Sequence, residues 1–483
     1  MNMNRIAKLS VNAGDSIGNM RRLHGTSGIP APAAGTESVP DILDVWKAAH
    51  VTLVRSYDWV SRLDTVDNPN SLFPDWSADP NDPANYNFEA TDTWVRHTRS
   101  LGADVLFTLA SEIPSNKQPV GDLAKYEQVV ENIVRHYVCG WGDGFENAAT
   151  YWEFGDQPDF GALHFSGTPD QFYQMYAAAA RAVKRVDASL KFGGPCIAFP
   201  LNEGPFREGL LNFIKDHSLP LDFLSWMWYG DNSRDPLDFR TIAAEVRAIA
   251  DKHGFSDTKL LLSYWSMTGI PTAKFEDADN AAFIAAAAVY MQDSAVDKAI
   301  FFRADTGADF HYKFRDPAGI FEADGRENAR TGAFRFVGQT LAMSERLAVA
   351  GGDENGFAVL AGRGANQDAI RILIANYAIP DAYLTARDRD VFEFQVPIGA
   401  ERVDMSLNVP ARRVDARSAG YAGYSLEVSN LPWGQGRYKV VRYRADADHK
   451  GEMLGSQDGE GSCVTIQNSL PAPGVELIEI TPA

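Results

Sequence analysis

Tyr151 to Asp159 reads YWEFGDQPD, an aromatic run that breaks into an acid, an amide and a proline. Aromatic residues suit a half-buried pleat, and Pro158 has no N–H to give to a ladder, so the strand ends before it. In a closed parallel barrel the carboxyl ends of the strands face the active site. Asp156 and Gln157 are therefore the first residues to weigh for chemistry. Gln157 is the more informative, because an amide has no titratable proton in the useful range.

Working outward, short apolar runs alternate with amphipathic stretches from about Val51 to Ala304, the pattern of βα units around a parallel sheet. The strand candidates are Val51 to Arg55, Val105 to Leu109, Thr150 to Phe154, Lys191 to Gly194, Phe223 to Trp228, Leu260 to Tyr264 and Lys298 to Arg303. An earlier run near Arg22 to Thr26 makes about eight. Between them lie helical periods such as Leu123 to Val138 and Pro169 to Val186. Eight units without a Gly-x-Gly-x-x-Gly turn after the early strands favour a (β/α)8 TIM barrel over a doubly wound sheet.

After a helix over Glu327 to Leu347 the texture changes to short strands with Gly, Pro and Asp punctuation, from Phe357 to Ala361 through Val475 to Ile480. That reads as a β-sandwich. The expected fold is thus α/β: a barrel over residues 21–346, a C-terminal β-sandwich over 347–483, and a segment 1–20 whose strand joins the sandwich.

The 483 residues exceed one ordinary core, and a hydrophobic share of 45% suffices to fill two. A net charge of -19 repels nucleic acid and anionic membrane surfaces. No run of some 18 apolar residues suits a membrane span, and the N-terminus lacks the apolar core of a secretory signal. The expectation is a soluble chain, cytoplasmic as it stands, and periplasmic or secreted if a signal peptide has been removed. Cys139, Cys196 and Cys463 are scattered, so no disulfide framework is expected. His24, His97, His136, His164, His217 and His311 form no pair at metal-site spacing, and no His-Glu-x-x-His helix occurs. Neither metal nor cofactor is expected, nor a serine-hydrolase or nucleotide role.

The residues that close each apolar run are His24; Arg55, Tyr57 and Asp58; Glu112; Glu153, Asp156 and Gln157; Met227 and Tyr229; Ser263, Tyr264 and Trp265; Arg303 and Asp305. Aromatic rings stack on sugar faces while polar groups address hydroxyls. The partner expected is an oligosaccharide or polysaccharide, and the helical exterior is compatible with a monomer or with association through the sandwich.

These motifs resemble glycoside hydrolase family 39, the β-xylosidase and α-iduronidase family of the clan of (β/α)8 hydrolases. YWEFGDQPD resembles its strand-four motif, LVRSYD at Leu53 to Asp58 its second strand, and YNFEATDTW at Tyr86 to Trp94 the segment leading into its second helix. KFGGP at Lys191 to Pro195, LPLDFLSWMWY at Leu219 to Tyr229 and LLLSYWS at Leu260 to Ser266 resemble its fifth, sixth and seventh strands. The resemblance implies a glycosidase, xylosidase-like in preference, with one glutamate on strand four as acid/base and another on strand seven as nucleophile. The chain departs at both: Asp156-Gln157 stands for Asn-Glu, and Ser263-Tyr264-Trp265 for Thr-Glu-Trp. Met227 stands where the family carries histidine.

The departures move attention to other groups. Gln157 is either an engineered replacement of a native glutamate or a natural loss. Tyr264 can serve as covalent nucleophile or as base, given a cation such as Arg303 to lower its pKa from about 10; otherwise it hydrogen-bonds substrate or fills the space of the missing glutamate. Asp156 is the nearest spare carboxylate, whereas Glu153, three residues earlier on a strand, is expected on the opposite pleat face as a buried partner of Arg55. Glu112 and Asp305, with Asp58, complete the acidic set. Catalysis is expected from Gln157, Tyr264, Asp156, Glu112 and Asp305, and substrate contacts from His24, Arg55, Tyr57, Asp58, Trp152, Met227, Tyr229, Trp265 and Arg303. Two further readings stay open: a lyase in which Tyr264 abstracts a proton beside a uronate held by Arg55 or Arg303, and an inactive barrel kept as a sugar binder.

Overall fold

The computed structural model describes residues 5–28, 43–56, 71–109, 119–269, 275–304, 319–322, 326–384, 391–398, 401–409 and 420–483. A first strand, β1 (Arg5–Asn19), lies outside the barrel, which begins with β2 (His24–Ser27). There follow α1 (Leu43–Ala48), β3 (Leu53–Arg55), α2 (Glu89–Ser100), β4 (Asp104–Thr108), α3 (Leu123–Cys139) and β5 (Tyr151–Glu153). The second half is α4 (Pro169–Val186), β6 (Lys191–Ile197), α5 (Leu210–Asp216), β7 (Phe223–Tyr229), α6 (Asp238–Lys252), β8 (Lys259–Ser266), α7 (Asp277–Met291), β9 (Lys298–Phe301) and α8 (Ala329–Leu341). The strands run parallel in the order β2 to β9 and close when His24 of β2 pairs with Ala299 of β9.

Two-residue alternation explains the barrel's layers. Leu53, Leu106, Phe223, Leu261 and Ile300 point inward and, with Tyr151, plug the lower lumen. Their neighbours Val54, Val105, Phe107, Trp152, Leu260 and Leu262 point outward into the core under the helices. Gly193 is required on β6, since a Cβ there would sit 1.9 Å from the carbonyl oxygen of Phe223. The helices carry the start signals their sequences promise. Thr168 and Gln171 form a reciprocal capping box ahead of Pro169 at the start of α4, and Asp122 accepts from the Lys125 amide at the start of α3.

The remaining strands are β10 (Glu345–Ala350), β11 (Phe357–Arg363), β12 (Ile370–Asn376), β13 (Val391–Ile398), β14 (Glu401–Asn408), β15 (Tyr421–Ser429), β16 (Arg437–Ala445), β17 (Lys450–Glu460), β18 (Val464–Ser469) and β19 (Gly474–Pro482). Eight of these and β1 fall into one order, β17-β16-β19-β12-β11-β10-β1-β15-β18, with β13 and β14 paired apart. The order is continuous, and residues from both ends, such as Tyr438 and Val440 on β16 and Val464 and Ile466 on β18, share one core with Leu9 and Val11 of β1. The helix read over Glu327 to Leu347 ends at Leu341, because Glu345 to Ala350 pair as a strand with β1. The string Gly14 to Gly18 has Gly-x-Ser-x-Gly spacing. It lies inside β1 with Ser16 exposed, without the strand–turn–helix setting that a nucleophile elbow needs.

Helix α7 joins the two halves. From Ala278 to Met291, apart from the partly buried Asp279, its residues are buried, because one side meets the barrel and the other meets β11, β12 and β19. Its run of alanines permits that close approach on both sides. The hairpin β13–β14 makes a second bridge. Asn202, in the loop after β6, donates to the Ser406 carbonyl oxygen at 3.0 Å and accepts from the Asn408 amide at 2.8 Å.

Candidate active site

The upper lumen is polar where the lower lumen is apolar. Arg55 ends β3 and, two residues after Leu53, points inward. Its Nε donates to Glu153 Oε2 at 2.6 Å, its Nη2 to Asp156 Oδ1 at 2.8 Å, and its Nη1 to the hydroxyl of Tyr264. The guanidinium carbon lies 4.2 Å from the Tyr264 ring centre. Ser263 Oγ donates to the other oxygen of Glu153 at 2.6 Å. None of Arg55, Glu153, Asp156, Ser263 or Tyr264 is more than 2% exposed.

Two backbone irregularities build this cluster. At the end of β5 the chain turns at Gly155, whose φ of 84° few side chains tolerate and where a Cβ would meet the Phe172 ring at 2.8 Å. The turn brings Asp156 back to the lumen side, so Glu153 and Asp156 hold the same guanidinium. That corrects the expectation of opposite pleat faces, while the pairing of Glu153 with Arg55 is as read from the sequence. On β8 the register slips, Trp226 pairing with Leu262 but Met227 with Tyr264. The extra residue is a bulge, which lets both Ser263 and Tyr264 face inward.

Gln157 follows in a left-handed conformation, φ 51° and ψ 47°. Strained backbone of this kind in a non-glycine residue concentrates at functional sites. Its amide nitrogen donates to the carbonyl oxygens of Pro195 and Cys196 at 3.3 and 3.2 Å, and its side-chain Nε2 to Asp156 Oδ2 at 3.4 Å. Gln157 and Tyr264 thus belong to one network through Asp156 and Arg55. His164, which the sequence gave no reason to select, brings Nδ1 to 3.7 Å from Asp156 Oδ2; only its place six residues after the lone proline-ended motif could have drawn attention to it.

Charge follows from geometry. Burial opposes ionisation of Arg55, but Glu153, Tyr264 and Asp156 outweigh it and hold the guanidinium well above its ordinary pKa. One guanidinium thus answers two carboxylates and a phenol inside the barrel. Asp159 differs: its oxygens accept from the amides of Ala198 and Phe199 at 2.9 and 2.7 Å. Burial of the carboxyl group nevertheless pushes it up to about 6.

One side of the mouth is apolar. Cys196, Ala198, Phe199, Met227 and Tyr264 form a cluster against which Phe160, Tyr229, Phe302 and Leu407 of β14 pack, the last four only partly buried. Met227 and Tyr229 accordingly lie at the mouth, and Arg303 follows Phe302 just beyond β9, partly buried.

Other expected contacts sit elsewhere. Trp152 and Trp265 point outward: Trp152 packs on Phe107 at 4.9 Å between ring centres, and Trp265 on Phe239 of α6 at 5.2 Å. They are helix–strand packing, not cleft walls. His24 opens β2 at the far end from the mouth and rests on Phe334 of α8 at 3.9 Å. Its burial pushes its pKa down to about 3. Arg55 is a buried hub whose donors are engaged, and it supplies Tyr264 with the cation expected of Arg303. Tyr57, Asp58, Glu112 and Asp305 lie outside the described residues. Among the described residues no three of His, Cys, Asp and Glu gather as a metal site.

The model of the family described as glycosyl hydrolases family 39 matches residues 99–271. Over the full length of both chains the protein is 80% identical to a solved structure described as a glucosidase from Croceicoccus marinus, with a TM-score of 0.98. A family 39 enzyme from Xanthomonas axonopodis pv. citri, 14% identical and covering 100% of this chain and 98% of that one, shares the fold with a TM-score of 0.71. A curated β-xylosidase from Caldicellulosiruptor saccharolyticus is 27% identical over 114 residues, 24% of this chain and 22% of that enzyme's length. The chain therefore spans under a quarter of that relative.

Proposed function

We propose that this chain, which belongs to glycosyl hydrolases family 39, hydrolyses glucosides through Tyr264. Membership makes it a glycosidase with a carbohydrate substrate. Glucose is the first sugar to test, because the chain is 80% identical over its whole length to a protein described as a glucosidase. Xylose is the second, because β-xylosidases are among its relatives and xylose is glucose without the exocyclic hydroxymethyl group.

The observation that carries the mechanism is the bond from Arg55 Nη1 to the Tyr264 hydroxyl inside a cluster that also holds two carboxylates. The phenol oxygen accepts from a cation, so negative charge that develops on it is stabilised in a site from which water is largely excluded. In the first step the bond from the anomeric carbon to the aglycone oxygen breaks, and that oxygen keeps the electron pair. The Tyr264 oxygen bonds to the anomeric carbon and its proton passes to Asp156, the carboxylate that shares Arg55 with it. Water then attacks the same carbon and releases the sugar, one of its protons returns to the Tyr264 oxygen, and the proton held at Asp156 leaves to solvent, from which the aglycone oxygen takes one up. Tyrosine nucleophiles of this kind serve in sialidases. Gln157, whose amide bonds Asp156, positions the glycosidic side without donating a proton.

Tyr264→Phe tests the proposal. Loss of about 10³-fold or more in kcat with KM little changed is expected of a nucleophile. A variant within tenfold of the parent would remove Tyr264 from the chemistry.

A further inference from the structure

The glycosidase reading leaves one chemical demand unmet at the strand-five end, and the surroundings of Gln157 suggest what meets it. A departing aglycone oxygen normally takes a proton from a carboxylic acid at this position, a contribution of about 10²- to 10⁴-fold. Here the position holds Gln157, and the adjacent carboxylates Glu153 and Asp156 are both engaged by the Arg55 guanidinium. An aglycone that leaves readily as an anion needs no such proton.

The wall beside Gln157 is apolar. The Phe160 amide donates to the Gln157 carbonyl oxygen at 3.1 Å, which fixes the Phe160 ring next to the amide. Phe160 and Phe199 meet at 4.8 Å between ring centres, inclined at 57°. Leu407 joins them from the other domain. It sits between Ser406 and Asn408, the two residues that Asn202 clips, and Asn202 itself follows Phe199 by three residues, its amide bonded to the Phe199 carbonyl oxygen at 2.9 Å. Phe160 and Leu407 are only partly buried. The hairpin β13–β14 is thereby held so that one leucine completes an aromatic shoulder on the leaving-group side of the cleft.

We infer that the substrates are glucosides of apolar aromatic aglycones joined through an acidic oxygen, that is, phenolic glucosides, with Leu407 a specificity-determining residue of the leaving-group subsite. This rests on the glucosidase reading above. The bond from the anomeric carbon to the phenolic oxygen breaks with the pair leaving as phenolate, which is then protonated by water; the net reaction is glucoside plus water to glucose plus phenol. A sugar alkoxide, the leaving group from a disaccharide, is a far stronger base than the phenolate of a phenol with pKa about 10, and disfavoured for that reason.

The test is kcat/KM over a series of aryl glucosides graded in leaving-group pKa, with a glucosyl–glucose disaccharide and glucosyl fluoride alongside. The fluoride needs neither a proton nor an apolar shoulder. Expected for the native protein is a steep fall of roughly five- to tenfold per unit of leaving-group pKa, with the disaccharide near the bottom. Gln157→Glu is expected to raise the disaccharide by about 10²-fold and flatten the series. Leu407→Ala is expected to lower the aryl glucosides about tenfold relative to the fluoride. A flat series, a disaccharide as good as the aryl glucosides, or Leu407→Ala lowering both substrate types equally overturns the inference while fluoride turnover leaves the glucosidase reading standing. Inertness toward the fluoride overturns both.

Discussion

Arg55 organises the site, and its removal leaves two carboxylates facing each other without a cation. Breaking a buried ion pair by deleting one partner costs about 3–5 kcal/mol, so Arg55→Met is expected to unfold at markedly lower urea concentration than the parent, and Arg55→Lys to fold better but lose most of its activity, because an ammonium cannot reach three acceptors in one plane. Two other residues set opposed pH dependences. Asp159 is raised to about 6 from an ordinary 3.8, so its contribution is most favourable below pH 4 and is lost as pH rises through 6. The loss is roughly 2 kcal/mol, less than the full shift because the residue is partly exposed. His24 is lowered to about 3, so its contribution is complete above pH 6.5 and falls with pH, by about 3 kcal/mol at pH 4. The two oppose each other in the same window. Unfolding of Asp159→Asn and His24→Gln at pH 4 and pH 7 is expected to uncover them separately: the first variant gains on the parent as pH rises, the second as pH falls. Single residues at strand ends were readable in kind but not in direction, as Trp152 and Trp265 show. Their alternation with Glu153 and Tyr264 points them at helices, whereas an aromatic residue beside a catalytic motif reads as a cleft wall until its register is known.

At the scale of elements, the site depends on a turn and a bulge that no periodicity announces. The strand cores of β5 and β8 were legible from their apolar runs, yet the slip that turns both Ser263 and Tyr264 inward is a register fact between β7, β8 and β9. Gly155 is the testable hinge. Gly155→Ala combines a φ of 84° with a Cβ at 2.8 Å from the Phe172 ring, and is expected to lower stability by about 2 kcal/mol or more and activity with it, measured by thermal melting and turnover; an unchanged melt would show that the turn is not constrained as described. Strand β17 is not legible in the sequence because GEMLGSQDGE has no alternating apolar face, its pairing to β16 coming from backbone hydrogen bonds at a sheet edge. Strand β1 places residues 5–19 between β10 and β15. Deleting them cuts β15 and β18 off from the other six strands and is expected to leave insoluble or molten protein by near-ultraviolet circular dichroism, against the mild effect of trimming a true tail.

For the molecule as a whole, the barrel was the most legible feature, since eight βα units are written in periodicity, whereas the continuous nine-strand order was not, because pairings between distant strands leave no local trace. The second domain is more than a support: α7 packs against β11, β12 and β19 as well as the barrel, and β14 carries Leu407 to the barrel mouth. The central claim is the proposal that the phenol held by Arg55 is the nucleophile. It is tested most directly by incubating the protein with a 2-deoxy-2-fluoro-glucosyl donor bearing a good leaving group, then locating the sugar by peptide mass spectrometry. The account predicts one added fluoroglucosyl unit on the peptide holding Tyr264, absent in Tyr264→Phe. A sugar attached to Asp156, Glu153 or another carboxylate, or turnover of the donor without any adduct on Tyr264, would contradict it.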